Sequence, residues 1–158
     1  MVEIAQLKEY IRDEAHACQE RLADFKKALH ASEANLRELQ SRVEAWVEDL
    51  DLDDIEIHRG EAHHSLEKYD ETFEITLQVL TITFGSCKLH VEPEEQYLHG
   101  NRILLYASSD EDDIKEIIES ENKYYFTDLQ FGQKRDLSKY TELDETTFYK
   151  LLYAWLRS

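Results

Sequence analysis

The chain predicts an α+β fold: a long N-terminal helix with heptad patterning, then a small, mainly antiparallel sheet with a short helix and a C-terminal amphipathic helix. Three observations predict it. Apolar residues keep a spacing of three and four over the first fifty positions, and neither Gly nor Pro interrupts them before Gly60. Several short segments after residue 55 alternate apolar and polar side chains, the period of a half-buried strand. The last fifteen positions return to helical spacing. Short connections between neighbouring strands favour antiparallel pairing.

The first element is expected over about residues 2–49. Its apolar series runs Ile4, Leu7, Ile11, Ala15, Cys18, Leu22, Phe25 and Leu29, then through Ser32 to Leu36, Leu39, Val43, Trp46 and Leu50. One extra step of four near Ala15 is the mark of a stutter. At 1.5 Å per residue the helix would be roughly 70 Å long, too long to cover its whole stripe with a domain of about 100 residues. It therefore pairs with a second copy, with a partner helix or its own sheet, or with its own other half through a break near Ser32. Self-association leads, with Leu7, Ile11, Leu22, Phe25, Leu29, Leu36, Leu39 and Val43 as the dimerisation seam. On this reading the chain divides into a helix over residues 1–50 and an α+β domain over 51–158.

Past Leu50 the helical period stops. Ile55 and Ile57 suggest a short strand, followed by a polar, His-rich segment from His58 to Asp70. Phe73, Ile75, Leu77 and Val79 alternate with polar neighbours, and from Leu80 the apolar phase moves to Leu80, Ile82 and Phe84. A one-residue slip without turn residues predicts a β-bulge. Gly85-Ser86 turns the chain into a short strand at Cys87, Leu89 and Val91. Ile103–Ala107 is apolar on both faces and reads as a central, fully covered strand. Ser109 with Asp112 resembles a helix-start capping box, which predicts a short helix carrying Ile114, Ile117 and Ile118. A strand at about 124–131 and a turn at Gly132-Gln133-Lys134-Arg135 follow. The terminal helix is expected from Asp144 to about Arg157, with Phe148, Leu151, Leu152, Trp155 and Leu156 on one stripe. This order of elements is similar to that of the small acidic dimeric chaperones of bacterial secretion systems, whose first helix is much shorter. No motif carries the comparison, so no residue is transferred and no family is assigned.

Charge bounds the partners. The 158 residues carry 35 acidic and 18 basic side chains, a net charge of −17. Such a surface repels nucleic acid and anionic membranes as direct partners. No apolar run approaches a membrane span of about 20 residues. The N-terminus carries no basic-then-apolar signal, and two widely separated cysteines make no disulfide framework, so the expected compartment is the cytoplasm. Six of the nine residues from 48 to 56 are acidic: Glu48, Asp49, Asp51, Asp53, Asp54 and Glu56. Asp110, Glu111, Asp112 and Asp113 form a second run, and Glu92, Glu94 and Glu95 a third. The first two runs are the candidate partner-binding residues. They would capture a basic protein by steering or, in a narrower version, a nucleic-acid-binding protein by imitating its phosphate backbone. Tyr69, Tyr97, Tyr124 and Tyr125 are candidate anchors beside the carboxylates, half of them expected in the core.

Catalytic readings fare worse. His58, His63, His64, Cys87, His90 and His99 could supply a metal centre or a cysteine dyad. Cys87 and His90 differ by an odd number along a strand, however, which sends them to opposite faces. Asp49, Asp51 and Asp53 open like a calcium loop, but Asp54 stands where the sharp turn needs Gly, and Gly60 where Glu would bind. The four glycines are isolated, so there is no phosphate-cradling loop. No cofactor and no catalytic residue is assigned. The expectation is a non-enzymatic acidic module that occludes or escorts a basic partner as an inhibitor, immunity protein or chaperone, dimeric through its first helix. A small metal-dependent or cysteine enzyme using residues 58–99 and a structural subunit of a larger assembly are the alternatives.

Overall fold

A computed structural model describes residues 3–95, 97–129 and 137–158, without the side chains of His99 and Leu137. The turn expected at residues 132–135 and the end of the strand expected at 124–131 lie outside the described residues.

The first helix, α1, runs unbroken from Ile4 to Glu48. Strands β1 (Ile55–Lys68), β2 (Glu71–Phe84) and β3 (Cys87–Pro93) follow. A one-turn helix α2 (Tyr97–Gly100) leads to β4 (Ile103–Ala107), β5 (Asp110–Ser120) and β6 (Lys123–Asp128). After a 3₁₀ turn at Leu137–Lys139 come β7 (Thr141–Glu142) and α3 (Glu145–Leu156). The sheet is a meander in the order β1-β2-β3-β4-β5-β6-β7, antiparallel throughout.

Both long helices lie on one face of this sheet. Tyr124 of β6 donates its hydroxyl to the Asn35 carbonyl of α1 at 2.7 Å. Tyr97 donates to the Ser32 carbonyl, and Tyr149 of α3 to the Trp46 carbonyl at 2.7 Å. Three tyrosines thus pin the helix backbone at three points. Ser32, the polar gap in the apolar series, is buried where the α2 turn closes on α1. Its hydroxyl lies 3.0 Å from the Ala28 carbonyl and 2.8 Å from Asn101 Oδ1. A larger apolar side chain would hold that turn away, so the gap marks a close approach and not a break in the helix.

The seam divides in two. Leu36, Leu39 and Val43 are wholly buried in one core with Leu80, Leu89, Val91, Leu105 and Ile117 of the sheet. They are not available for dimerisation, a correction that follows from α1 being the sheet's own cover. For the same reason position 50 divides the chain but not the packing. Leu22, Phe25 and Leu29 are half-buried against the β1–β2 hairpin, where Phe25 meets Phe73 edge-on at 4.9 Å. Leu7 and Ile11 remain 51% and 57% exposed.

Four further expectations are corrected. The bulge at Leu80 is absent: β1 and β2 pair without a register shift over all fourteen rungs. Burial nevertheless changes phase on both strands at one level, between Ile57 and Gly60 and between Leu77 and Leu80. Two-stranded ribbons twist strongly. Beyond its pairing with β3 this ribbon turns its opposite face to the same helix, so Phe73 meets Phe25 while Gln78 meets Gln40. The polar segment at 58–68 is therefore the distal half of a long strand. The helix expected after Ser109 is strand β5, paired on both sides with β4 and β6. Two paired edges outweigh a local capping pattern. Finally, β4 is central but covered on one face only: Ile103, Leu105 and Ala107 are buried, and Leu104 and Tyr106 are half-buried on the other. The terminal helix matches its expected bounds. Asp144 caps it, accepting the Thr147 N–H at 2.9 Å, and this bond holds the carboxyl below its ordinary value.

Candidate partner-binding surface

The two acidic runs are separated by 54 positions, from Glu56 to Asp110, yet they converge through the meander. Ile55 pairs with Phe84, and Phe84 with Cys87 across the β2–β3 turn. Ala107 pairs with Asp110 across the β4–β5 turn. The two turns are tied together where the Ser108 N–H meets the Lys88 carbonyl and the Lys88 N–H meets Ser108 Oγ, each at 2.8 Å. The α1–β1 junction and the start of β5 therefore share one end of the sheet. There, Glu48, Asp49, Asp51, Asp53, Asp54, Glu56, Glu111 and Asp112 are all exposed, while Asp110 and Asp113 are half-buried.

Two shallow grooves carry seven of these ten carboxylates. One, of about 520 Å³, is walled by Asp110–Asp113, Ile114, Asp128 and Leu129. The other, of about 320 Å³, lies among Asp53, Asp54, Ile55, Glu56, Thr83 and Gly85. Asp113 is engaged from within: Lys115 Nζ lies 2.9 Å away and the Trp155 indole N–H donates at 2.9 Å. Burial disfavours its charge, but the hydrogen bonds from Lys115 and Trp155 and the Lys115 charge outweigh burial and hold the carboxyl below its ordinary value. Lys115 also bridges Asp128, and the two carboxylates raise its pKa against the cost of burial. Asp110 accepts the Asp112 N–H within the turn. Asp113 is thus a structural residue, and the solvent-facing charge belongs to the exposed eight. The third run, Glu92, Glu94 and Glu95, sits at the opposite end, where Glu92 accepts the Tyr106 hydroxyl at 2.8 Å.

The candidate anchors divide as expected. Tyr97 and Tyr124 are each 1% exposed and bonded to α1. Burial raises both phenol pKa values, that of Tyr124 to about 12. Tyr69 stands 39% exposed at the tip of the β1–β2 hairpin, and Tyr125 is half-buried on the face without helices. The histidines do not converge. Cys87 is buried in the core, whereas His90 faces the other side, stacked on Tyr106 at 4.9 Å with Thr81 Oγ1 3.2 Å from Nδ1. His63 contacts Thr76 on the hairpin, and His58 lies exposed on the same strand. The side chain of His99 lies outside the described residues. Among the described residues no three His, Cys, Asp or Glu side chains are grouped to hold a metal ion.

Sequence reasoning missed the face of the sheet opposite the helices, which carries Thr81, His90, Tyr106 and Tyr125. Only the pairing register reveals that Thr81, His90 and Tyr106 are neighbours. Among the described residues no helix is long and apolar enough to cross a membrane. No protein-family model, curated protein or solved structure matches the chain.

Proposed function

We propose that the protein is a non-enzymatic binding module that uses the acidic end of its sheet to occlude or escort a basic partner protein, and that it dimerises through the first helix. The observation that carries the first part is the convergence of two sequence-distant acidic runs at one end of the sheet. Eight carboxylates are exposed there and, among the described residues, the cations beside them include Lys88, Lys115 and, near Glu48, Arg59. Clustered like charges raise the local potential and speed the encounter with an oppositely charged surface. The same end suits a nucleic-acid-binding protein as partner, with carboxylates standing in for phosphates. The exposed apolar stretch Ile4–Ile11 supports the second part. The module is assigned to the cytoplasm, in keeping with an exposed free thiol at Cys18.

The test is affinity capture from native lysate with a salt gradient, run beside the variant D53N/D54N/E111Q/D112N. Release of one stoichiometric basic protein at moderate salt, lost in the variant, is the expected result. Equal capture by the variant would overturn the assignment of the surface. Competition by added nucleic acid separates backbone mimicry from plain escort.

A further inference from the structure

We infer that two copies of this chain pair antiparallel through residues 4–18 of α1, with Ile11 facing Ile11 on the two-fold axis. The inference rests on the self-association half of the reading above and fixes its geometry.

The hairpin defines how much helix is free. Its tip, the turn at Tyr69-Asp70, reaches α1 at Phe25, whose ring lies 6.1 Å from that of Tyr69 and 4.7 Å from Lys68 Nζ. N-terminal to that level the seam residues Ile4, Leu7, Ile11, Ala15 and Cys18 are all exposed. The overhang from Ile4 to Arg21 is about 27 Å long at 1.5 Å per residue.

Its spacing reads the same in both directions. From Ile4 the steps are three, four, four and three, symmetric about Ile11. A reversed copy therefore sets Ile4 against Cys18, Leu7 against Ala15 and Ile11 against itself. Each large side chain faces a small one except at the axis, the alternation that close packing between helices needs. At the margins Arg21 comes beside Glu3 of the second copy, twice by symmetry. The stutter near Ala15, which is a fault in a long parallel heptad seam, is what creates the symmetry.

Direction follows from the hairpin. From Leu22 onward the seam side is occupied by the chain's own strands, so a parallel partner would drive the two hairpins into the same space. The described helix of an antiparallel partner, up to its Glu3, lies short of the hairpin tip. Hairpin and partner then cover the stripe in succession. The two bodies, each part of a chain of net charge −17, lie at opposite ends of the pair. They are separated by more than the roughly 8 Å over which charge is felt at physiological salt. The paired surface is one side of an 18-residue helix. It falls below the ~800 Å² per partner of a standard stable interface, so the dimer should dissociate in the micromolar range.

The cysteines allow a direct test. In the antiparallel pair the two Cys18 residues stand about 21 Å apart along the axis, beyond any disulfide. In a parallel pair they would touch. The full chain carrying Ile4→Cys, at a position 74% exposed and free of folding contacts, is oxidised beside the wild type and mapped by peptide mass spectrometry. The expected result is a disulfide between the thiol introduced at position 4 of one copy and Cys18 of the other, with no Cys18–Cys18 link in the wild type. Sedimentation should show a concentration-dependent dimer that Ile11→Glu weakens on the order of 100-fold or more, with unfolding unchanged. A wild-type Cys18–Cys18 link would overturn the antiparallel geometry while leaving self-association standing. A monomer at every concentration would overturn both, and neither result bears on capture of a basic partner.

Discussion

Gln40 is the residue whose loss the fold should feel most for its size. It is wholly buried in an apolar core, at the point where β2 leaves β3. Pairing of those strands stops at Leu80 and Val91, and the β1–β2 ribbon swings away. The divergence exposes main-chain carbonyls inside the core. Gln40 Nε2 donates to the Gln78 carbonyl at 2.7 Å and to the Val91 carbonyl at 3.0 Å, and its Oε1 accepts from Gln78 Nε2 at 3.0 Å. One side chain closes the fork between two strands. Gln40→Met keeps the volume and removes all three bonds. The Gln78 amide is half-buried and can turn to water, so its loss is small. The two carbonyls cannot move, and each buried acceptor left without its donor costs about 1–1.5 kcal/mol. The expected loss is about 2–3 kcal/mol, a large share of the 5–15 kcal/mol typical of a domain. Urea unfolding at low protein concentration, below dimer formation, measures it as a lower midpoint at constant slope. Gln78→Ala should cost under about 1 kcal/mol, and the double variant little more than Gln40→Met, because the pair shares one bond. A loss below about 0.5 kcal/mol for Gln40→Met at unchanged slope would refute the claim that this side chain seals the fork.

Other outcomes follow from the same geometry. The seam should split in an alanine scan: Leu39→Ala, wholly buried, should cost about 2–5 kcal/mol, whereas Leu7→Ala, half-exposed, should change unfolding by less than about 0.5 kcal/mol. Trp155→Phe removes the indole donor to Asp113. The Asp113 carboxyl is held below its ordinary value, so its contribution is present above the unfolded Asp range and is lost as pH falls through the lowered folded value. The stability gap between Trp155→Phe and wild type should therefore be full at pH 7 and narrow below about pH 4, and a gap constant from pH 7 to pH 3 counts against the linkage. Glu121 and Asn122 form the β5–β6 turn with φ of 52° and 65°, the pattern of a primed two-residue hairpin. Glu121→Gly relieves a left-handed L-residue and should raise the thermal midpoint, by up to about 1 kcal/mol of stability.

Elements with a strong private period were legible in the sequence. The length of α1, the core strand β2, the Gly85-Ser86 turn and the start of α3 at Asp144 follow from spacing and capping residues that act within a few positions of one another. The acidic runs were legible too, because charge density needs no fold. What could not be read depends on who stands beside whom. Ile114, Ile117 and Ile118 fit either a helix face or a strand, and only pairing with β4 and β6 decides for the strand. The phase change at Leu80 looks the same whether a strand bulges or a ribbon twists, and the unbroken register of β1 and β2 decides for twist. The type I′ turns at Tyr69-Asp70 and Glu121-Asn122 lack the glycine that announces them.

The division of the α1 seam is the plainest case. By itself the sequence determined one apolar stripe, because helical periodicity is a property of the chain alone. It could not say which part of the stripe is core and which is surface, since Leu7 and Leu39 occupy equivalent places on the helix. The tertiary structure decided that by ending the β1–β2 hairpin near Phe25: from Leu22 onward the stripe is half-buried or buried by the chain's own strands, and from Cys18 back to Ile4 the side chains stand in solvent. The meander likewise brought Asp53 and Asp112 to one end of the sheet. Burial and proximity are properties of neighbours, and neighbours distant in sequence are supplied only by the fold.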